Sequence, residues 1–170
     1  EKIQGAEVVA VSDVFEESAK KAAEICGAKV YTDSRELINA EDVDAVFIVS
    51  PGFAHVDSLL QAIEAGKRIF CEKPLCTTAE DCLKVVKAEE AAGKHLIQLG
   101  FMRRYDKGYQ QIKEALATGE YGEPLILHCT HRNPEVGTNY NTPMAVHDTA
   151  IHVIDVLHWL VDDEYESAQV

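Results

Sequence analysis

The sequence predicts an α/β fold: a doubly wound, Rossmann-like parallel sheet, followed by the start of an α+β unit. Three observations carry this. Short runs rich in Val and Ile alternate with helical stretches along residues 7–100, the rhythm imposed by right-handed crossovers between parallel strands. The runs are nearly continuous in apolar character, as in strands buried on both faces. Most of them end in charged or turn-forming residues, and ligands on such sheets lie beyond the carboxyl ends of the strands.

Residues 7–13 (EVVAVSD) form the first strand, ending at Asp13. Residues 16–26 follow with helical spacing, and Gly27 stops them. Residues 29–31 are a second strand. Residues 34–39 are a short helix capped by Asp33 or Ser34. Residues 44–50 are a strand halted by Pro51-Gly52, and 55–65 a helix closed by Gly66. Residues 68–71 are a strand terminated by Glu72-Lys73-Pro74. Residues 78–92 are a helix with Thr77 or Thr78 as cap and Gly93 as stop, and 95–100 are another strand. Then the rhythm changes. A helix at 105–118, a strand at 125–130, a polar loop at 133–143, an apolar helix at 145–161 and a strand from 165 are expected. The change of rhythm places a domain boundary near residue 101, dividing 1–100 from 101–170.

Composition excludes several classes. The 170 residues carry 16 Lys plus Arg against 29 Asp plus Glu, a formal charge of −13. That balance argues against nucleic acid as a partner, which needs clustered basic side chains. Five cysteines (Cys26, Cys71, Cys76, Cys82, Cys129) lack C-x-x-C spacing, so reduced, mostly buried thiols in a cytoplasmic protein are expected, with neither disulfides nor a metal site. No signal peptide is visible, and no apolar run approaches the ~18 residues of a membrane span.

The groups with chemical potential lie at strand ends and on the late helix. Asp148, His152 and Asp155 are spaced by four and three residues. At about 100° per residue they share roughly one-sixth of the helix circumference. They form a satisfied polar network, or a general base with its orienting acid, suited to taking a proton from an alcohol. Metal ligation by His147, His152 and Asp155 is a third reading, without the H-E-x-x-H pattern. Lys73 is either a surface lysine or one aimed into the crevice by the extended backbone that Pro74 favours. Asp13 binds ribose hydroxyls, with NAD preferred over NADP because no Arg follows closely, or it caps the next helix. No G-x-G-x-x-G is present, and Gly5 alone precedes Asp13. The fingerprint belongs about 20 residues before the acid. The chain is therefore expected to be an internal segment lacking the first strand, the phosphate loop and most of the first helix.

Several runs resemble one family. They are residues 7–13, Phe70-Cys71-Glu72-Lys73-Pro74-Leu75, Met102-Arg103-Arg104-Tyr105-Asp106, His131-Arg132-Asn133-Pro134, and the helix from Asp148 to Leu160. The chain resembles the glucose–fructose oxidoreductase/inositol dehydrogenase/rhizopine-catabolism family, most closely its inositol dehydrogenase branch. The resemblance implies hydride transfer from a secondary alcohol of a polyol, myo-inositol, to NAD. It implies that His152 removes the hydroxyl proton, that Asp148 orients or shares it, and that Lys73 hydrogen-bonds the reacting oxygen. Asp155, Arg103 and Asn133 match positions that bind the other ring hydroxyls. Asp13 matches the ribose ligand; Ser50, Pro51 and His55 line the cofactor, with Glu72 near the nicotinamide. A homo-oligomer, a tetramer, is implied for the intact enzyme. Departures are the missing glycine loop, the missing remainder of the second domain, and Val153 where close relatives tend to carry an acid. The isolated chain is expected to be inactive. Dehydrogenation of another sugar or polyol with NAD or NADP, and a non-catalytic dinucleotide-binding protein of this fold, are the alternatives.

Overall fold

Residues 3–169 are described by the computed structural model, and the chain falls into two units, Glu1–Leu99 and Gly100–Val170. The first unit runs β1 (Ala10–Ser12), α1 (Glu16–Cys26), β2 (Lys29–Tyr31), α2 (Ser34–Ile38), β3 (Ala45–Ile48), α3 (His55–Glu64), β4 (Arg68–Cys71), α4 (Ala79–Ala92) and β5 (Ile97–Leu99). Every strand pairing is parallel. The ladders form two sheets, β1-β2 and β3-β4-β5, and the break falls where the expected absence of the first strand leaves its neighbours without a partner. The doubly wound order sets one more strand between β1 and β3, and among the described residues none occupies that place. The strands at 7–13, 44–50 and 95–100 are also shorter than expected, because a strand extends only as far as a neighbour's ladder supports it.

Local chemistry sets most helix ends. Asp33 accepts from the Arg35 amide and Thr78 from the Asp81 amide, each satisfying an orphan N–H of its first turn. Gly27 ends α1 in the left-handed region, φ 74°, with its amide on the Ala23 carbonyl. The core of the unit gathers Val46, Ile48, Ile69 and Cys71 of the sheet with Leu59, Ala62 and Ile63 of α3, Val85 of α4 and Ile38. Burial alternates along β3, not continuously as expected: Val46 and Ile48 are buried, whereas Phe47 is 63% exposed and stacks on Phe70 at 5.3 Å.

The second unit contains a 3₁₀ turn at Met102–Tyr105, α5 (Lys107–Ala117), α6 (Thr142–Met144), a π-helical stretch Ala145–Ala150 and α7 (Ile151–Val161). α5 packs on α7, and Lys113 Nζ ties them by donating to the Trp159 carbonyl at 2.6 Å. The strands expected at 125–130 and from 165 do not form among the described residues, and residue 170 lies outside them. Leu125 and Ile126 are exposed. A β-prone run becomes a strand only when a partner completes its ladder. The helix expected at 145–161 is two segments, π and then α. The 100° rule therefore holds from His152 to Asp155 but not back to Asp148, which sits in the wider π turn.

Candidate active site

In the first unit the candidate residues leave the carboxyl ends of strands. β3 and β4 run parallel, and the Glu72 amide donates to the Ile48 carbonyl at 2.9 Å. Ser50-Pro51 and Glu72-Lys73 thus emerge on the same edge. The Lys73 amide donates to Glu72 Oε2 at 3.3 Å, and the Lys73–Pro74 peptide is cis. Asp13 follows β1, and its Oδ1 accepts from the Phe15 amide at 2.8 Å. It does not cap α1, whose N-cap position is Phe15 with no side-chain bond. One carboxylate oxygen is thus held by backbone while the other is left for hydroxyl donors, an arrangement that fits an adenosine ribose and repels a 2′-phosphate.

His55, expected to line the cofactor, has no exposed surface. Its ring nitrogens lie 2.7 Å from the Ser50 carbonyl and 2.8 Å from the Pro74 carbonyl. Any influence on a cofactor therefore passes through the backbone it holds. Burial pushes the neighbouring Cys71 thiol up to about 12, with smaller contributions from Cys76 and Glu72, and Cys76 likewise to about 12. Neither thiol is a nucleophile at neutral pH. Cys26 and Cys129 are exposed, so fewer thiols are buried than expected. A cleft of about 430 Å³ is lined by Arg35, Asn39, Gln61, Glu64 and Ala65. None of the candidate groups at the strand ends lines it.

In the second unit α7 buries His152 and Asp155 beside Val156 and Leu160. Asp155 is held by Arg104, whose Nε donates to Oδ2 at 3.0 Å and whose Nη2 donates to Oδ1. The Asp155 side chain is 6% exposed and the Arg104 side chain 38%. The hydrogen bond to Asp155 raises the Arg104 guanidinium above its already high value, against a smaller opposing effect of burial. Arg103 Nη1 donates to the His152 carbonyl at 3.4 Å, and Nη2 donates to His131 Nδ1 at 3.2 Å. A guanidinium only donates, so His131 Nδ1 accepts and its Nε2–H donates to Asn133 Oδ1 at 3.0 Å. Arg103, Asn133 and the start of α7 are thereby joined in one network. Asp148 Oδ1 accepts from His147 Nδ1 at 2.8 Å. Among the described residues no group of three His, Cys, Asp or Glu side chains is placed to hold a metal ion.

Sequence reasoning missed Arg104 and His131. The signal for Arg104 was an acid, Asp155, on an apolar helix, which demands a cation. The Arg103-Arg104 pair offered two cations with nothing local to separate them.

Residues 1–101 match an oxidoreductase family with an NAD-binding Rossmann fold, and residues 109–170 match the GFO/IDH/MocA C-terminal domain. The chain is 56% identical over 171 residues to an inositol 2-dehydrogenase/D-chiro-inositol 3-dehydrogenase of Halalkalibacterium halodurans, covering 99% of this chain and 49% of that protein. It is 54% identical over 168 residues to an inositol 2-dehydrogenase of Pseudomonas syringae pv. syringae, covering 98% and 50%. Among solved structures it is similar to the myo-inositol dehydrogenase of Lactobacillus casei in complex with NAD(H) and myo-inositol, with a TM-score of 0.91 at 49% identity over 95% of this chain and 48% of that one. The chain spans about half the length of the curated relatives it matches.

Proposed function

This chain belongs to the oxidoreductase family whose first domain is an NAD-binding Rossmann fold, and from that membership we propose that the protein carrying it oxidises a secondary alcohol of a polyol, myo-inositol, with NAD. The observation that supports this most is the likeness over 95% of the chain to a dehydrogenase whose structure holds NAD(H) and myo-inositol. In this reading residues 1–100 are part of a dinucleotide-binding domain and 101–170 part of a substrate domain.

Asp13 accepts from the ribose hydroxyls, and Ser50, Pro51 and Glu72 lie along the cofactor. NAD, when bound, supplies the hydride acceptor. His152 takes the hydroxyl proton as general base, and Asp148 orients or shares it. Lys73 donates to the reacting oxygen and holds its developing charge. Arg103, Asn133 and Asp155 serve the other ring hydroxyls, Asp155 as one half of its pair with Arg104 and Asn133 through the network that fixes it to Arg103. A polyol offers many hydroxyls, and this set supplies both donors and acceptors. The same reading expects a homo-oligomer, a tetramer, working in the cytoplasm. No helix among the described residues is long and apolar enough to cross a membrane.

The test is steady-state turnover of the full-length protein with myo-inositol and NAD, against a panel of sugars and against NADP. NADH formation fastest with inositol is expected. No inositol turnover, or a strong preference for another polyol, overturns the substrate assignment.

A further inference from the structure

We propose that His55 is a positioning residue for Lys73: a buried imidazolium that clamps the loop after β3 to the loop carrying the lysine. The ring is 0% exposed, with Nε2 2.7 Å from the Ser50 carbonyl and Nδ1 2.8 Å from the Pro74 carbonyl. Carbonyl oxygens accept and never donate. At these separations a bare ring nitrogen would set its lone pair against an oxygen lone pair, so each nitrogen carries a proton. Both bonds are made together only by the imidazolium.

The third neighbour is consistent with this proton count. Cys71 Sγ lies 3.4 Å from Nδ1 and 3.2 Å from the Glu72 carbonyl. Burial keeps that thiol protonated, and with Nδ1 already a donor the S–H goes to the Glu72 carbonyl. Burying a cation is costly unless its donors are satisfied. Here both N–H groups end on carbonyls, in bonds strengthened by the charge.

A second contact falls on the same proline. A Cβ at Gly52 would lie 2.9 Å from Pro74 Cγ, so the loop after β3 seats directly on Pro74 only with glycine there. His55 and Gly52 thus fix Pro74 from the same loop, and Lys73 is its neighbour in the chain. A lysine reaches through a flexible four-carbon stem, so its backbone origin decides where the ammonium goes. A displacement of about 1 Å costs on the order of 100-fold in rate.

This inference rests on the reading that Lys73 holds the reacting oxygen, and the experiment separates the two. In the full-length protein, His55→Asn keeps a donor near the Nδ1 position, facing Pro74, whereas His55→Gln keeps one near the Nε2 position, facing Ser50. His55→Leu keeps neither. His55→Leu should lower kcat at saturating NAD about 100-fold. His55→Asn should recover at least about tenfold of that loss and His55→Gln much less. Equal kcat for the Asn and Gln variants, or wild-type kcat for the Leu variant, overturns the positioning role. Should the Leu variant not fold, the Asn and Gln pair decides alone. ¹⁵N NMR of the wild-type ring reads the clamp without activity: two protonated nitrogens at neutral pH are expected, and a neutral tautomer overturns it. Lys73→Met turning over at the wild-type rate would instead defeat the lysine reading, and the positioning role with it, leaving the NMR result to stand by itself.

Discussion

In the first unit, burial is almost wholly apolar. Val46, Ile48, Leu59, Ile63, Ile69 and Val85 form one cluster, and the buried polar side chain, His55, is bonded to backbone carbonyls. In the second unit, among the described residues, Val156 and Leu160 are the buried apolar side chains, and His152 and Asp155 are buried with them. There an ion pair, a lysine on helix-end carbonyls and an arginine–histidine–asparagine network hold the structure. An apolar scaffold leaves strand ends to present polar groups without bearing the packing. A unit built around polar burial must make its candidate catalytic helix and its stability depend on the same side chains.

The sharpest way to break that contrast is kinetic. The proposed function puts cofactor groups in the first unit and proton transfer in the second, and on that proposal His152→Ala should lower kcat on the order of 1,000-fold and spare NAD binding. Asp13→Ala should raise the Kd for NAD by about tenfold or more and leave kcat at saturating NAD far less affected. Loss of NAD affinity in the His152 variant would mean the division of labour is wrong.

The Arg104–Asp155 pair tests the second unit's polar character. Arg104→Ala abandons a buried carboxylate and should cost about 3 kcal/mol. Asp155→Ala leaves a guanidinium that is partly in water and should cost about 1–2 kcal/mol. Urea unfolding of the two variants measures the asymmetry, and equal costs would show that the pair is not buried from one side. In the first unit Leu59→Ala should cost about 3 kcal/mol through cavity formation without shifting the Kd for NAD, so a coupled loss of binding would tie core and site together there too. The smallest effect is at the helix cap: Thr78→Ala should cost about 1 kcal/mol, read as a lowered midpoint in the same unfolding experiment.

How much was legible in the sequence follows the same division. The bounds of α1, β2 and β4 are found where the pattern puts them, because Gly27, the β-branched and aromatic residues of the short strands and the Glu72-Lys73-Pro74 stop act locally. The expected strand at 125–130 failed because a ladder needs a partner that no local pattern announces. The π stretch was invisible because Ala145–Ala150 reads like any helix and differs only in its hydrogen-bond register. Of the site, strand-end placement could be read for Asp13, Ser50, Glu72 and Lys73. The Arg104–Asp155 pair, the His131 relay and the two carbonyls around His55 could not, since each joins residues whose meeting depends on tertiary packing.

The most direct test of the proposed chemistry follows the hydrogen itself. Full-length protein is incubated with NAD and myo-inositol deuterated on its ring carbons, and the reduced cofactor is analysed by mass spectrometry. One deuterium per NADH formed, together with a slowed single-turnover rate that His152→Ala lowers further, is the expected result. Reduced cofactor without deuterium, or none formed while inositol stays unoxidised, would contradict direct hydride transfer from the polyol carbon.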